Sequence, residues 1–327
     1  MSSILLKLRV GLLGFIFTAI GFGLYLCAVI LNLLSYGIPL LSEPAIWCAW
    51  FAGLPLTIGI TALLFEIFCI SKLRKDKCSQ PLSYLDSKQA TVVLTAYNDE
   101  LSIAKSVLDF FESPFVNRVI VIDNNSEDST VCQALSAGAQ VIIEQSPGYG
   151  RCVYRALLEG SKFLDTQFVI LCEGDMTFRA LDIEKLMSYR NHATVVNGTR
   201  IVEQLRENET QLSSFMFFGN FAAAKILELK HLGRGTVTDL GTTYKLARSE
   251  FLRKNLDLFD SSINLEFNAH FLDTLLENKI SFVEVPITFH PRVGVSKGGN
   301  TSNLRALKVG LNMLLGITFG WKFVKRN

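Results

Sequence analysis

The first 71 residues carry only four charges, Lys7, Arg9, Glu43 and Glu66, while the other 58 of the chain's 62 charged residues fall in the remaining 256. This partition constrains the fold before any motif is read, because the two parts suit different solvents. From Val10 to Leu34 there is no charge at all, and these 25 residues as a helix reach about 37 Å, enough to cross a hydrocarbon core of about 30 Å. A second apolar stretch, Pro44 to Ile70, follows Ser42 as an N-cap and is interrupted by Gly53, Pro55 and Gly59, which helix packing in a membrane tolerates. The first run exceeds the roughly 7 to 15 apolar residues of a signal peptide and a second follows it, so the pair reads as a spanning hairpin rather than a cleaved leader.

Lys7 and Arg9 precede the first span, the Ser35 to Glu43 connection has no Lys or Arg, and Lys72, Arg74, Lys75 and Lys77 follow the second. The positive-inside rule then places both ends of the hairpin, and the large domain after it, in the cytosol. The expectation is an integral protein of the plasma, inner or endoplasmic reticulum membrane. The N-x-[ST] sites at Asn124, Asn197, Asn208 and Asn300 become chance matches, since acceptor asparagines need a lumenal or extracellular face. A net charge of +2 argues against a nucleic-acid partner, and seven cysteines without metal-binding spacing suit a reducing compartment. The expected organisation is two spans with a basic flank over 1–77, a linker over 78–89, a catalytic domain over 90–300 and an apolar, basic-edged interfacial helix over 301–327.

Beyond residue 88, short apolar runs alternate with helical patterns. Strands are predicted at Ala90 to Leu94, Arg118 to Ile122, Gln140 to Ile143, Phe168 to Cys172 and Thr194 to Val196, with helices near 100–111, 128–137, 150–164 and 181–190. That rhythm predicts βαβ units around a sheet covered on both faces. Three strands end in polar clusters: Thr95 to Glu100, Asp123 to Thr130, and Glu173-Gly174-Asp175. In an open α/β sheet ligands bind outside the carboxyl ends of the strands, so the clusters can converge on one crevice. Ser126, Asp128 and Ser129 serve equally well as caps of the next helix.

Glu173 and Asp175, separated by glycine, can approach one Mg²⁺ or Mn²⁺ ion, a cation typically held by one or two carboxylates together with substrate phosphates. A diphosphate ligand is therefore expected. Gly148-Tyr149-Gly150 opens a helix like a phosphate-binding turn, but Val153 replaces the third glycine of a dinucleotide fingerprint, and no P-loop lysine motif is present.

With these residues in view, 90–300 resembles the family 2 glycosyltransferases of the GT-A fold, and among them the dolichol-phosphate mannose synthase and polyprenyl-phosphate glycosyltransferase branch. Thr95-Ala96-Tyr97-Asn98-Asp99 is similar to the family's P-x-Y-N-E segment, and Glu173-Gly174-Asp175 to its D-x-D motif with Glu in the first place. Asn197-Gly198-Thr199-Arg200, the Thr238 to Lys245 segment, Glu266, and Glu284-Val285-Pro286-Ile287-Thr288-Phe289 with Arg292 and Ser296-Lys297 follow in the family's order. The resemblance implies an α/β GT-A domain with a Rossmann-like mixed sheet behind the membrane hairpin. It implies donor-nucleotide binding at Ala96, Tyr97, Asn98, Asp99 and Asp123, joined by Asn125 and Gly148, and a metal on Asp175 and Glu173. Besides Glu173, Thr95 for Pro and Asp99 for Glu, Lys245 stands for an arginine, and Phe215 to Asn220 occupies a stretch that in mannose synthases holds the acceptor phosphate.

The implied reaction moves a sugar from a nucleotide diphosphate to a polyprenyl phosphate, dolichyl or undecaprenyl, with inversion. Arg200, Arg292 and Lys297 are the expected acceptor-phosphate cations, and Arg200 and Asp239 the catalytic candidates. Asp239 could orient a sugar hydroxyl, act as base for a hydroxyl acceptor, or cap a turn. Two other readings stay open: a glycosyltransferase acting on a hydroxyl of a membrane glycolipid, and a catalytically silent nucleotide-sugar-binding scaffold. Phe215 to Leu232 reads equally as an interfacial or a buried helix. Leu304 to Val324, with Lys308 and three glycines, reads as interfacial or re-entrant rather than a third span.

Overall fold

The computed structural model describes residues 10–70, 84–85, 89–207, 210–231, 235–295 and 303–324. Lys297, Ser296, Asn208, Asn300 and the basic flanks at Lys7, Arg9, Lys72, Arg74, Lys75 and Lys77 lie outside the described residues. The chain divides into Met1–Cys78 with Leu229–Arg234, and Ser79–Glu228 with Gly235–Asn327.

In the first unit, helix α1 (Val10–Ser35) and helix α2 (Ser42–Phe65) pack as a hairpin through a short turn at Pro39–Leu41, and α2 runs on into a π-helical turn at Glu66–Ile70. Both are long and apolar enough to cross a membrane. Small residues such as Ala28, Ala45 and Ala52 are buried between them, while Phe22, Leu33, Trp50 and Leu54 face outward. Thr18 and Thr57 donate their hydroxyls to the carbonyls of Gly14 and Gly53 in the preceding turn, which satisfies them without water.

The second unit is built on seven strands: β1 (Ala90–Ala96), β2 (Val116–Asp123), β3 (Gln140–Ile143), β4 (Phe168–Glu173), β5 (Val195–Thr199), β6 (Lys245–Arg248) and β7 (Phe282–Pro286). They lie in the order β3-β2-β1-β4-β6-β5-β7. The first four are mutually parallel, as the βαβ rhythm predicts, whereas β6 runs antiparallel to both β4 and β5, making the sheet mixed. The fifth predicted strand, Thr194 to Val196, begins at Val195 and extends to Thr199, and β6 separates it from β4.

Alternation along the strands explains the two-sided cover. Val93, Ile120, Ile122, Val169 and Leu171 join one core with helices α5 (Tyr149–Ser161), α8 (Ser249–Asn255) and α9 (Phe267–Glu277). Val92, Leu94, Val121, Ile170 and Cys172 join the other with α3 (Ile103–Phe111), α4 (Thr130–Ser136) and α6 (Ile183–Ser188). Every residue of β1 is buried, as a central parallel strand requires.

Two remaining helices have one buried and one open face. In α7 (Ser214–Lys230), Ala223, Ala224 and Leu227 are buried while Phe215 and Phe218 are exposed, so the helix is buried along one face and open along the other. In α10 (Asn303–Phe319), Ile317 joins the core with Met313 and Leu314, while Leu304, Leu307, Leu311, Leu315 and Phe319 form an exposed stripe at helical spacing.

The GxG turn has a local explanation. Gly148 holds φ +134°, and a Cβ on Gly150 would sit 1.7 Å from the Ile263 carbonyl oxygen, so neither accepts a side chain. The turn thereby brings α5 against the segment leading into α9 and sets Tyr149 at the mouth of the sheet.

Candidate active site

A cavity of about 680 Å³ opens at the carboxyl ends of β1 and β4, where the strand order switches direction. Its polar part is lined by Thr95, Ala96, Tyr97, Asp99, Asn124, Asn125, Gly148, Glu173, Asp175, Arg200 and Arg292, and its apolar part by Phe215, Met216 and Ala223 of α7 with Leu307, Leu311 and Leu314 of α10.

Asp99 caps its own turn, accepting the Tyr97 N–H at 3.1 Å, and receives Arg292 Nη2 at 2.7 Å. The other nitrogen of that guanidinium, Nη1, donates to Asp175 Oδ2 at 2.7 Å, so Arg292 bridges the ends of β1 and β4. Asp175 is 1% exposed and also accepts the backbone and hydroxyl of Thr177. Burial, reinforced by the charge of Glu173, pushes its pKa up to about 6 against the opposing pull of Arg292 and Thr177.

Among the described residues, no cluster of three or more His, Cys, Asp or Glu could form a closed metal cage. The donor set of Glu173 and Asp175 instead fits a hard cation that draws its other oxygens from phosphate and water. Burial and the neighbouring Glu173 charge both disfavour the ionised form of Asp175, and a cation between the two carboxylates would offset both.

Other predicted residues stand behind the wall. Asp123 accepts the Ser126 N–H and hydroxyl at 2.9 and 2.5 Å and closes the loop after β2, which presents Asn124 and Asn125 to the cavity in its stead. Asn98, at φ +51°, accepts the Glu127 N–H at 2.8 Å and ties the two loops together.

Asp239 takes five hydrogen bonds: Arg200 N and Nε on Oδ2, and Arg200 Nη2, Asn220 Nδ2 and Gly241 N on Oδ1, at 2.7 to 3.0 Å. Burial alone would raise its pKa, but Arg200 and Asn220 outweigh it and hold the carboxyl well below the ordinary range. Arg200 lines the cavity, with Nε and Nη2 engaged on Asp239 and, among the described residues, no hydrogen bond on Nη1.

Beneath the floor, Lys245 is 2% exposed, its ammonium on the Thr242 carbonyl, and burial pulls its pKa down to about 7. Glu284 accepts Thr238 N and Oγ1 at 2.8 and 2.6 Å and Asn197 Nδ2 at 3.3 Å; burial and then the Asp239 charge push it up to about 7.

Sequence reasoning missed Asn220, Asn268, Thr243 and Arg305 of the site. Asn220 and Thr243 fall in the Phe215 to Asn220 and Thr238 to Lys245 segments that the family resemblance singles out, whereas Asn268 and Arg305 have no such signal.

A mixed α/β sheet with a crevice and paired carboxylates at its switch point is the arrangement of the nucleotide-diphospho-sugar transferase class, the GT-A fold. The chain matches the profile of Glycosyl transferase family 2 over residues 91–256, and it belongs to that family. It is 32% identical to glycosyltransferase AglJ of Haloferax volcanii over 228 residues, 69% of this chain and 70% of that one. It is 28% identical to the dolichyl-phosphate hexose transferase of the same organism, over 63% of this chain and 85% of that one. An uncharacterized glycosyltransferase of Mycobacterium bovis is 36% identical over 34% of this chain, and there the match spans about half the relative, 48% of its length. Among solved structures, glucosyl-3-phosphoglycerate synthase from Mycobacterium tuberculosis, crystallised with Mn²⁺, UDP and glucosyl-3-phosphoglycerate, shares the fold with a TM-score of 0.51 at 18% identity, over 71% of this chain and 80% of that one.

Proposed function

We propose that this protein is a membrane-bound glycosyltransferase that moves a sugar from a nucleotide-diphosphate donor to a polyprenyl phosphate, with inversion and with Mg²⁺ or Mn²⁺. The observation that carries the reading is the single cavity in which a charged floor, Asp99, Glu173, Asp175 and Arg292, continues into an apolar wall from α7 and α10. A nucleotide diphosphate suits the first part and an isoprenoid chain the second. The Haloferax dolichyl-phosphate hexose transferase and the Mn²⁺- and UDP-bound Mycobacterium synthase support the acceptor and donor sides respectively.

Asp175 and Glu173 would hold the cation, which when bound supplies Lewis-acid neutralisation of the departing diphosphate. Arg292, which lines the cavity and is bonded to Asp99 and Asp175, places a cation for anionic oxygens on the same floor. The acceptor requires little activation, because a phosphate monoester with a second pKa of about 6 is largely dianionic at neutral pH and needs mainly to be held in line. Asp239 bears on this choice. A carboxylate already saturated by five donors and held far down in pKa is a weak base, which speaks against a hydroxyl acceptor. Lys297, with Arg292, remains our candidate for the acceptor phosphate, and Arg200 acts through Asp239 in shaping the wall.

In this reading the hairpin tethers the domain to the cytosolic membrane surface, and the open stripe of α10 lies at the headgroup level. The test incubates membranes from expressing cells with labelled nucleotide sugars and polyprenyl phosphates. A mild-acid-labile, organic-soluble product that disappears in Asp175→Asn is expected; no such product from any donor would end the proposal.

A further inference from the structure

Glu173 stands where the resemblance places an aspartate, and its extra methylene adds a rotatable bond that a metal-binding carboxylate must have fixed. The structure fixes it. Thr243 Oγ1 meets Glu173 Oε1 at 2.7 Å, Tyr149 Oη is in hydrogen-bond contact with Thr243 Oγ1 and lies 3.3 Å from the same carboxylate oxygen, and Asn268 Nδ2 meets Tyr149 Oη at 2.9 Å. Three separate elements supply these groups: the loop before β6, the first turn of α5 and the first turn of α9. Thr243 and Asn268 are 1% and 3% exposed, so water does not substitute for them.

The polarity of the chain follows from its end. A carboxylate that binds a cation has only acceptors, so Thr243 must donate to it. Its oxygen is then free to accept the Tyr149 hydroxyl proton, and Tyr149 in turn accepts from Asn268. Oε1 is thereby held by the protein, while among the described residues no hydrogen bond engages Oε2.

We infer that Tyr149, Thr243 and Asn268 are positioning residues that clamp Glu173 for a divalent cation, and that this clamp is what lets glutamate serve in place of aspartate. The inference rests on the metal-dependent reading above. Partners in the outer shell of a metal site typically contribute about 10- to 100-fold in affinity.

The experiment titrates full-length protein in detergent with Mn²⁺ in the presence of UDP and follows free Mn²⁺ by electron paramagnetic resonance. Thr243→Val and Tyr149→Phe should each weaken Mn²⁺ binding by about 10- to 100-fold, whereas Thr243→Ser, which keeps the hydroxyl, should bind as the parent does. In a Glu173→Gln background Thr243→Val should bring no further loss. Thermal unfolding of each variant separates loss of binding from loss of fold, and Tyr149→Phe, which removes one oxygen, keeps the test open if Thr243→Val does not fold. Parent-like binding in a folded Thr243→Val or Tyr149→Phe, or weak binding in Thr243→Ser, overturns the clamp, as does a parent protein that binds no Mn²⁺. Clamp-dependent binding without transfer to polyprenyl phosphate would instead refute the acceptor and leave the clamp standing.

Discussion

Arg200 and Asp239 are joined by two parallel hydrogen bonds of 2.7 Å, Nε to Oδ2 and Nη2 to Oδ1, with both side chains buried. A bidentate pair of this kind pins the end of β5 to the loop before β6, and Asn220 attaches α7 to the same carboxylate at 2.7 Å. The catalytic candidate is therefore also a structural junction. Removing one partner leaves the other as a buried, uncompensated charge, which costs about 3 to 5 kcal/mol.

Asp239→Asn should accordingly lower unfolding stability by about that amount, measured by denaturant unfolding in detergent. Asp239 has a folded pKa below its unfolded value, so its contribution is complete above the ordinary carboxylate range and is lost only as pH falls through the depressed folded value. The penalty should hence be constant from neutral to mildly alkaline pH. An Asp239→Asn variant as stable as the parent but inactive would make the aspartate a catalytic base rather than a junction.

Lys245 and Glu284 both feel the charge of Asp239 and give stability an unusual dependence on pH. A buried lysine near 7 loses its proton in the native state while the unfolded chain keeps it up to about 10.4, so stability rises with pH across that interval, by at most about 1.4 kcal/mol per unit. Glu284, raised to about 7, contributes stability below the unfolded glutamate value that is lost as pH climbs toward 7. Lys245→Met should flatten the alkaline limb and Glu284→Gln the acid one. Unchanged slopes in both variants would mean that neither group titrates as burial demands.

Arg292 reaches Asp99 and Asp175 with different nitrogens of one planar group, a geometry that an ammonium does not reproduce. Arg292→Lys should reduce kcat/KM by about 100-fold, since one charge-assisted contact of about 1.5 to 3 kcal/mol is lost and the floor is no longer held in register. Steady-state kinetics with saturating metal decide the matter; a change of less than about threefold would show that the bridge is dispensable.

Much of this architecture was legible because its signals were local. β1, β2 and β4 carry apolar runs that are buried at their centres, β3 is a short apolar run at the sheet edge, and the two N-terminal helices are apolar over lengths that could cross a membrane. β6 escaped notice because Lys245-Leu246-Ala247-Arg248 has charged ends and only four residues, and its strand character comes from pairing with β4 and β5. The order in which Asp99, Glu173 and Asp175 meet was readable from strand ends. The partners of Glu173 were not, since Tyr149, Thr243 and Asn268 are apart in sequence and converge only after the helices pack. Asp123 shows the converse: a strand-end aspartate whose position signals a ligand, yet whose carboxylate is used to close the loop that carries Asn124 and Asn125.

The division of the cavity into a charged floor and an apolar wall implies that the two halves can be disabled separately. Leu311 of α10 lines the apolar part and is 52% exposed, so replacing it empties no core. Leu311→Asp sets a charge where an isoprenoid would lie and removes apolar contact worth about 1.5 kcal/mol or more, roughly a tenfold change in affinity. The KM for a long polyprenyl phosphate should rise by about that factor, while Mn²⁺-supported binding of the donor nucleotide stays unchanged. An acceptor phosphate with only one or two isoprene units, too short to use the whole wall, should be affected less. Equal penalties for short and long acceptors, or a matching loss of donor binding, would place the lipid elsewhere and leave the α7 and α10 wall without a role in acceptor recognition.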